Sequence, residues 1–283
     1  MFRELPGALG GEEVAVHQVR VASRRLRVAL PLLARKGHGR RAGRALRVLR
    51  QITRAVGARR DHDVLVGLLD DRLSALAATT AEQRSLLSRL RAARVRSRAT
   101  VAETILDLDV DGLRRNLRRL LAPGPTDAAT AYARIVALRE REGAELLRGF
   151  SQIGARFHPE PLHALRRRVR RLRYAAEIED ALAGQDSRAP ALWKRLQDGI
   201  GTLHDHHLLE LWFEEQARTA AARGNPLLAR AARRERLFFR AEQRRLHGAL
   251  LEQRPADLAL RALEAMKRGA RRRRQGPPAA AGE

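Results

Sequence analysis

Apolar residues recur along most of this chain at steps of three, four and seven, the spacing of a buried stripe on a helix of 3.6 residues per turn. Between Val14 and Ala34, the residues Val16, Val19, Leu26, Leu30 and Leu33 share one side. At about 100° per residue, His17, Arg20, Arg24 and Arg27 gather within roughly 80° on a different side. Such a helix buries one stripe and offers a cationic one. Pro31 lies inside it, where a kink rather than a break is expected.

The same periodicity predicts further helices over 41–57, 63–77, 81–107 and 111–121, then over 127–150, 160–183, 189–203, 206–222, 227–252 and 256–270. Ala, Leu, Arg and Glu dominate these segments and β-branched runs are short, which favours helix over strand. Pro123-Gly124-Pro125-Thr126-Asp127 interrupts the pattern near the midpoint and predicts a boundary between a first helical half at 10–122 and a second at 127–252. Pro159 and Pro161 suit the first turn of a helix, and Gly224-Asn225-Pro226 suits a turn. Residues 253–270 read as a helical extension, and 271–283, from Arg271-Arg272-Arg273-Arg274 to the terminal Pro, Ala and Gly residues, as a disordered basic tail.

Composition turns this all-α reading toward a ligand. The 283 residues carry 57 Lys and Arg against 32 Asp and Glu, a net charge of +25. That excess repels itself in a compact fold unless a polyanion offsets it. Nearly all of it is Arg, whose planar fork grips phosphate oxygens bidentately, whereas Lys occurs only at 36, 194 and 267. Cysteine is absent, which excludes disulfides, thiolate metal sites and cysteine nucleophiles. The first residues lack a signal-peptide core and no stretch of about 18 uncharged apolar residues occurs, so a cytoplasmic protein without membrane contact is expected. Aromatic residues make up only 4%, too few for a single-strand binder built on base stacking. Trp193, Trp212, Phe238 and Phe239 read as core, and His38 and His247 carry no signal. No glycine-rich phosphate loop, nucleophile elbow or dinucleotide fingerprint is present, so no cofactor is expected.

A repeat sharpens the picture. His17-Gln18-Val19-Arg20 through Arg27 returns 146 positions later as His163-Ala164-Leu165-Arg166 through Arg173, and extended to Leu30 and Ala176 the two segments agree at seven of fourteen positions. A second pair follows at an offset of 144: Leu49 to Asp63 parallels Trp193 to His207, matching Gly57 to Gly201, Asp61 to Asp205 and His62 to His206. The glycines suit a close helix approach or a helix C-terminus. Asp61, Asp63 and Asp205 suit helix N-caps, or carboxylates that orient neighbouring Arg and His. Lys194 keeps the charge of Arg50, but Asp198 replaces Arg54, so the two copies are not equivalent.

The four elements together, H-x-x-R-x-x-x-R-R-L-R and L-R-x-x-x-R-x-x-G-x-x-R-D-x-D, then H-x-x-R-x-x-x-R-R-L-R-Y and L-K-R-L-Q-D-x-x-G-x-x-H-D, resemble the CHAD domain, the conserved histidine α-helical domain, over roughly residues 10 to 250. The resemblance implies two antiparallel helical bundles, duplicated four-helix units related by a pseudo-two-fold axis, with a basic surface or channel between them. It implies binding of inorganic polyphosphate and residence at polyphosphate granules. Many such domains are fused to a CYTH triphosphate-tunnel domain; its E-x-E-x-K motif is absent here, so a stand-alone member is expected. Carried over by position, the contacts are His17, Arg20, Arg24, Arg27, Arg50, Arg54 and Arg60 in the first half and His163, Arg166, Arg170, Arg173, Lys194 and His204 in the second. Asp61 and Asp205 shape the site, and Tyr174 projects near the same face with a hydroxyl for a phosphate oxygen.

Three function classes follow. A non-enzymatic polyphosphate binder leads. Metal-dependent hydrolysis of polyphosphate is second: Asp61, His62 and Asp63, or His204, Asp205, His206 and His207, have ligand chemistry. The change from Asp-His-Asp to His-Asp-His-His between copies argues against a shared metal site, and no metal is expected. Non-specific nucleic-acid binding is third; charge permits it, but no helix-turn-helix or RNP-type signal supports it.

Overall fold

A computed structural model of the chain describes residues 1–122 and 128–274, with side chains to residue 268. Among these residues the secondary structure is helical throughout, without a strand. After a 3-10 turn at Phe2–Glu4 come α1 (Leu5–Gly10), α2 (Glu13–Leu33), α3 (Arg40–Ser74), α4 (Ala81–Leu106) and α5 (Val110–Leu120). Then follow α6 (Ala128–Ser151), α7 (Pro159–Ala183), α8 (Ala189–Ala222), α9 (Pro226–Glu252) and α10 (Pro255–Arg274). The boundary expected at Pro123 to Asp127 and the tail beyond Arg274 lie outside the described residues; Arg271 to Arg274 continue α10. No helix among the described residues is long and apolar enough to cross a membrane.

Local chemistry sets many of the ends. Thr80 Oγ1 accepts the Gln83 amide at 3.2 Å while the Thr80 amide donates to Gln83 Oε1 at 2.9 Å, a reciprocal cap that starts α4. Asp109 Oδ1 accepts the Gly112 amide at 2.7 Å and starts α5. The turn expected at Gly224-Asn225-Pro226 is present: Asn225 Oδ1 takes the Leu228 amide at 3.0 Å and Gly224 supplies a positive φ of 68°. α7 begins on Pro159 as expected and ends at Gly184 with φ 60°. Pro31 stays within the last turn of α2, which runs on to Leu33.

Two expectations change. Breaks foreseen at residues 58–62 and 204–205 do not exist: α3 and α8 run unbroken through them. Gly57 and Gly201 are therefore mid-helix residues, and Asp61, Asp63 and Asp205 cap nothing. The short α1 at Leu5–Gly10 was not foreseen either; Gly11, at φ 83°, separates it from α2.

The helices gather into two compact units. Unit 1 comprises residues 1–31, 36–122 and 203–245. Its core joins Leu65, Leu69 and Leu73 of α3, Leu86 and Leu90 of α4, Leu209 and Phe213 of α8, and Phe239 of α9. Each such side chain withdrawn from water contributes roughly 1.5–3 kcal/mol. A buried carboxylate ties the core together: Glu235, 0% exposed, accepts from Gln83 Nε2 at 2.6 Å and faces Arg72, whose guanidinium stacks 3.7 Å above Phe238.

Among the described residues, unit 2 comprises 32–35, 128–202 and 246–274. α6 packs on α7, and α10 packs on both. Trp193 is fully buried there, as expected. His247, which the sequence left without a role, is 2% exposed; its Nε2 lies 3.0 Å from the Gly154 carbonyl and Phe157 meets its ring edge-on, so it anchors the loop between α6 and α7.

Candidate functional site

In unit 1 the two halves of the first repeat element meet through one arginine. Arg20, on α2, donates from Nη1 to the Gly57 carbonyl of α3 at 2.6 Å and pairs from Nη2 with Asp61 at 2.9 Å. A methyl at Gly57 would stand 3.4 Å from that guanidinium nitrogen, so the glycine leaves the helix backbone open for the arginine to lie across. Behind it, Ser23 Oγ donates to the Arg20 carbonyl and lies 3.0 Å from Thr53 Oγ1, which donates to the Leu49 carbonyl at 2.6 Å. Arg20 is 8% exposed. The sequence grouped it with the polymer contacts; its burial and its two strong acceptors make it the strut that fixes α2 against α3.

The neighbouring side chains are arranged around that strut. His17 is exposed, and its pKa lies below 6.5 through partial burial and then the charges of Arg60, Arg20 and Arg24. Arg24 and Arg27 are half-buried. Arg60 is half-buried and pairs with Glu13 at 2.7 Å. Arg50 and Arg54 are exposed on α3 and carry no ion pair. Asp63 points the other way: with its side chain 1% exposed, it pairs with Arg59 at 3.3 Å, and burial raises its pKa despite that arginine. His204 and Asp205, on α8, are half-buried in this same unit.

Unit 2 repeats the glycine contact. A methyl at Gly201 would lie 3.8 Å from Arg166 Nη2, so the fourth residue of the second signature again lies beside the mid-helix glycine. His163 is exposed, and its pKa too is lowered by partial burial and then by Arg167, Arg166 and Arg170. Arg170 and Arg173 are half-buried, and Arg173 donates to Glu177 at 3.0 Å. Lys194 is exposed but tied to Asp198 four residues on. Tyr174 departs from expectation: it is 5% exposed and sits among the core residues Leu172, Ala175 and Ala176 of α7, so it is packing rather than an open phosphate contact.

Unit 2 also holds two buried carboxylates of opposite character. Burial disfavours the Glu142 anion, but Arg171 at 3.0 Å and Arg168 at 2.8 Å outweigh it and its pKa falls below 4.5. Glu179 has only Arg139 at 3.9 Å, and burial drives it up to about 7. Neither was visible in the sequence, because the partners come from other helices.

The Asp-His clusters weighed as metal ligands point to separate tasks: Asp61 holds Arg20, Asp63 holds Arg59, and His62 Nδ1 lies 2.9 Å from the Ala58 carbonyl. Among the described residues no group of three or more His, Asp or Glu is arranged to hold a metal ion. The sequence comparison missed Arg40, Arg44 and Arg47, which precede Arg50 on α3; the repeat begins to match only at Leu49, and helical phase was the signal that marks them.

Comparison with known proteins agrees with the fold. The family model of the CHAD domain matches residues 1–214. The crystal structure of the CHAD domain from the plant Ricinus communis superposes with a TM-score of 0.63 at 21% identity, covering 94% of this chain and 86% of that one. No curated protein matches the sequence. With the family model spanning most of the chain and an all-α fold of the same kind, this protein belongs to the CHAD domain family.

Proposed function

We propose that this protein binds inorganic polyphosphate through its Arg- and His-bearing helix faces, as a binding module rather than an enzyme, in association with polyphosphate granules or their regulation. The observation that carries this reading is the pair Arg50 and Arg54: exposed, one turn apart and without a carboxylate partner, beside a buried Arg20 that fixes the helix presenting them. The family is associated with polyphosphate binding, and a net charge of +25 supports a polyanion in general. His17 adds charge only once it is protonated, which its lowered pKa moves to more acidic solution than for a free histidine.

Binding of this kind releases counterions, so affinity falls steeply with salt. Titration of the full chain with linear polyphosphate of defined length, from low salt to about 0.15 M, tests it. Saturable binding whose logarithm falls linearly with that of the salt concentration is expected. Absence of binding at every salt overturns the reading. In the same cuvette, competition by duplex DNA separates the alternatives: polyphosphate is expected to displace DNA, and DNA displacing polyphosphate points to a nucleic-acid binder. Release of inorganic phosphate from the polymer, abolished by a chelator, would instead reveal a metal-dependent hydrolase.

A further inference from the structure

The first four turns of α3 set a cationic face opposite a buried one. Taking about 100° per residue from Arg40, the side chains of Arg40, Arg44, Arg47, Arg50 and Arg54 fall within about 120° of arc. All five are exposed and none has an ion-pair partner. The opposite arc holds Ala42, Ala45, Leu49, Ile52, Thr53 and Val56, all buried. No acidic residue occurs on α3 before Asp61. Several other arginines of the unit are matched, Arg59 by Asp63, Arg72 by Glu235, Arg91 by Asp70 and Arg236 by Glu214, and what sets the α3 face apart is a run of five without a carboxylate. A face left without carboxylates over about 21 Å suits an external anion of comparable length.

The stripe has a defined end. Between α3 and α4 lies a groove of about 580 Å³ whose lining includes Ala55, Ala58 and Ala93, with Arg54 and Arg96 contributing its charge and no acidic side chain. Arg96 is exposed and, like Arg54, has no ion-pair partner. Gly43 lies in the same arc of α3, exposed, with nothing within 4 Å of where a methyl would stand, so the stripe is sterically open near its start.

Resting on the polyphosphate reading, we infer that the polymer follows this stripe: a track from Arg40 through Arg44, Arg47 and Arg50 to Arg54, closing on Arg96 in the groove between α3 and α4. The track predicts a preference for long chains. A chain of a few phosphates meets two of these arginines; one that spans the stripe meets all of them, because each arginine added to a shared ligand acts at high effective concentration.

The test compares Arg44→Glu/Arg47→Glu with Arg233→Glu/Arg234→Glu. The second pair lies on α9 in the same unit, exposed and without ion pairs, and changes the net charge equally. With long-chain polyphosphate at fixed salt, the first variant is expected to lose at least about tenfold in affinity and the second less than about threefold, with the first also lowering the salt slope. Equal losses overturn the track and leave net charge as the cause. Arg44→Gln/Arg47→Gln adds no acidic residue and is expected to lose affinity in the same order, which separates lost contacts from disturbed folding. Arg96→Gln is expected to weaken long chains more than tripolyphosphate, and an equal effect on both removes the groove from the track. If the wild type binds no polyphosphate, the functional reading itself fails; if it binds and Arg44→Glu/Arg47→Glu behaves like the α9 control, only the track fails.

Discussion

The first turns of α3 and the segment 144 positions on, which runs from the end of α7 into the first turns of α8, carry unequal charge. At the offset of 144, Arg40, Arg44, Arg47, Arg50 and Arg54 become Gly184, Arg188, Ala191, Lys194 and Asp198. Five uncompensated arginines in unit 1 stand against a stretch of unit 2 in which Lys194 is neutralised by Asp198. What the two copies do share is internal: Arg20 lies beside Gly57, and Arg166 beside Gly201. The difference teaches that the repeat preserves a way of seating an arginine across a helix, while the face turned to solvent has diverged. Repeated pattern and exposed charge are separate properties here.

The sharpest way to break that distinction is to remove the strut. Arg20→Ala leaves Asp61 and the Gly57 carbonyl without their donor, and a loss of about 2–3 kcal/mol of stability is expected. Thermal denaturation reads it. A variant that keeps its melting temperature and loses only polyphosphate affinity would make Arg20 a direct contact after all.

Smaller effects come from the buried carboxylates of unit 2. Glu142, held below 4.5, stabilises the fold at neutral pH, and that contribution is lost as pH falls through its folded value. Glu179 has the opposite sign. Its pKa is raised from 4.5 to about 7, so the folded state holds the proton more tightly than the unfolded chain; its contribution is complete below 4.5 and is lost as pH rises through about 7. Glu179→Gln is expected to abolish the decline across that window. The lowered histidines slope the other way, their contribution fading as pH drops below 6.5 toward their folded values, but they are common to both proteins and cancel in the difference. Identical pH profiles for wild type and variant would contradict the assignment.

The smallest expected effect concerns the glycines. At Gly201 a methyl has ordinary contact distance to Arg166, so Gly201→Ala is expected to stabilise the protein by roughly 0.5–1 kcal/mol through helix propensity. At Gly57 the tighter 3.4 Å approach to Arg20 cancels part of that gain. A denaturant titration that shows Gly57→Ala to be the more stabilising of the two would reverse this ranking.

The helices were legible because apolar spacing and turn chemistry are local: Pro159, the turn at Gly224 to Pro226 and the start of α4 all fall where the sequence puts them. The two breaks foreseen after Gly57 and Gly201 were not there, for an instructive reason. Glycine followed by Asp and His reads as a helix stop and restart, but here the glycine serves an arginine from another helix and Asp61 serves that same arginine. Local grammar and long-range pairing use the same residues. The repeat marked Arg50 and Arg54 and overlooked Arg40, Arg44 and Arg47, since a comparison of copies finds what they share and the cationic stripe is what they do not. Tyr174 was misread because its distance from His163 along the helix fixes a direction, not an exposure.

The central claim is that the α3 face of unit 1 holds the polymer and the corresponding stretch of α8 does not. Measuring long-chain polyphosphate affinity for Arg50→Glu/Arg54→Glu and Lys194→Glu/Arg195→Glu at one salt concentration tests it directly. The expected result is a loss of at least about tenfold for the first and no more than about threefold for the second. Equal losses, or a larger loss for the α8 variant, would contradict the account.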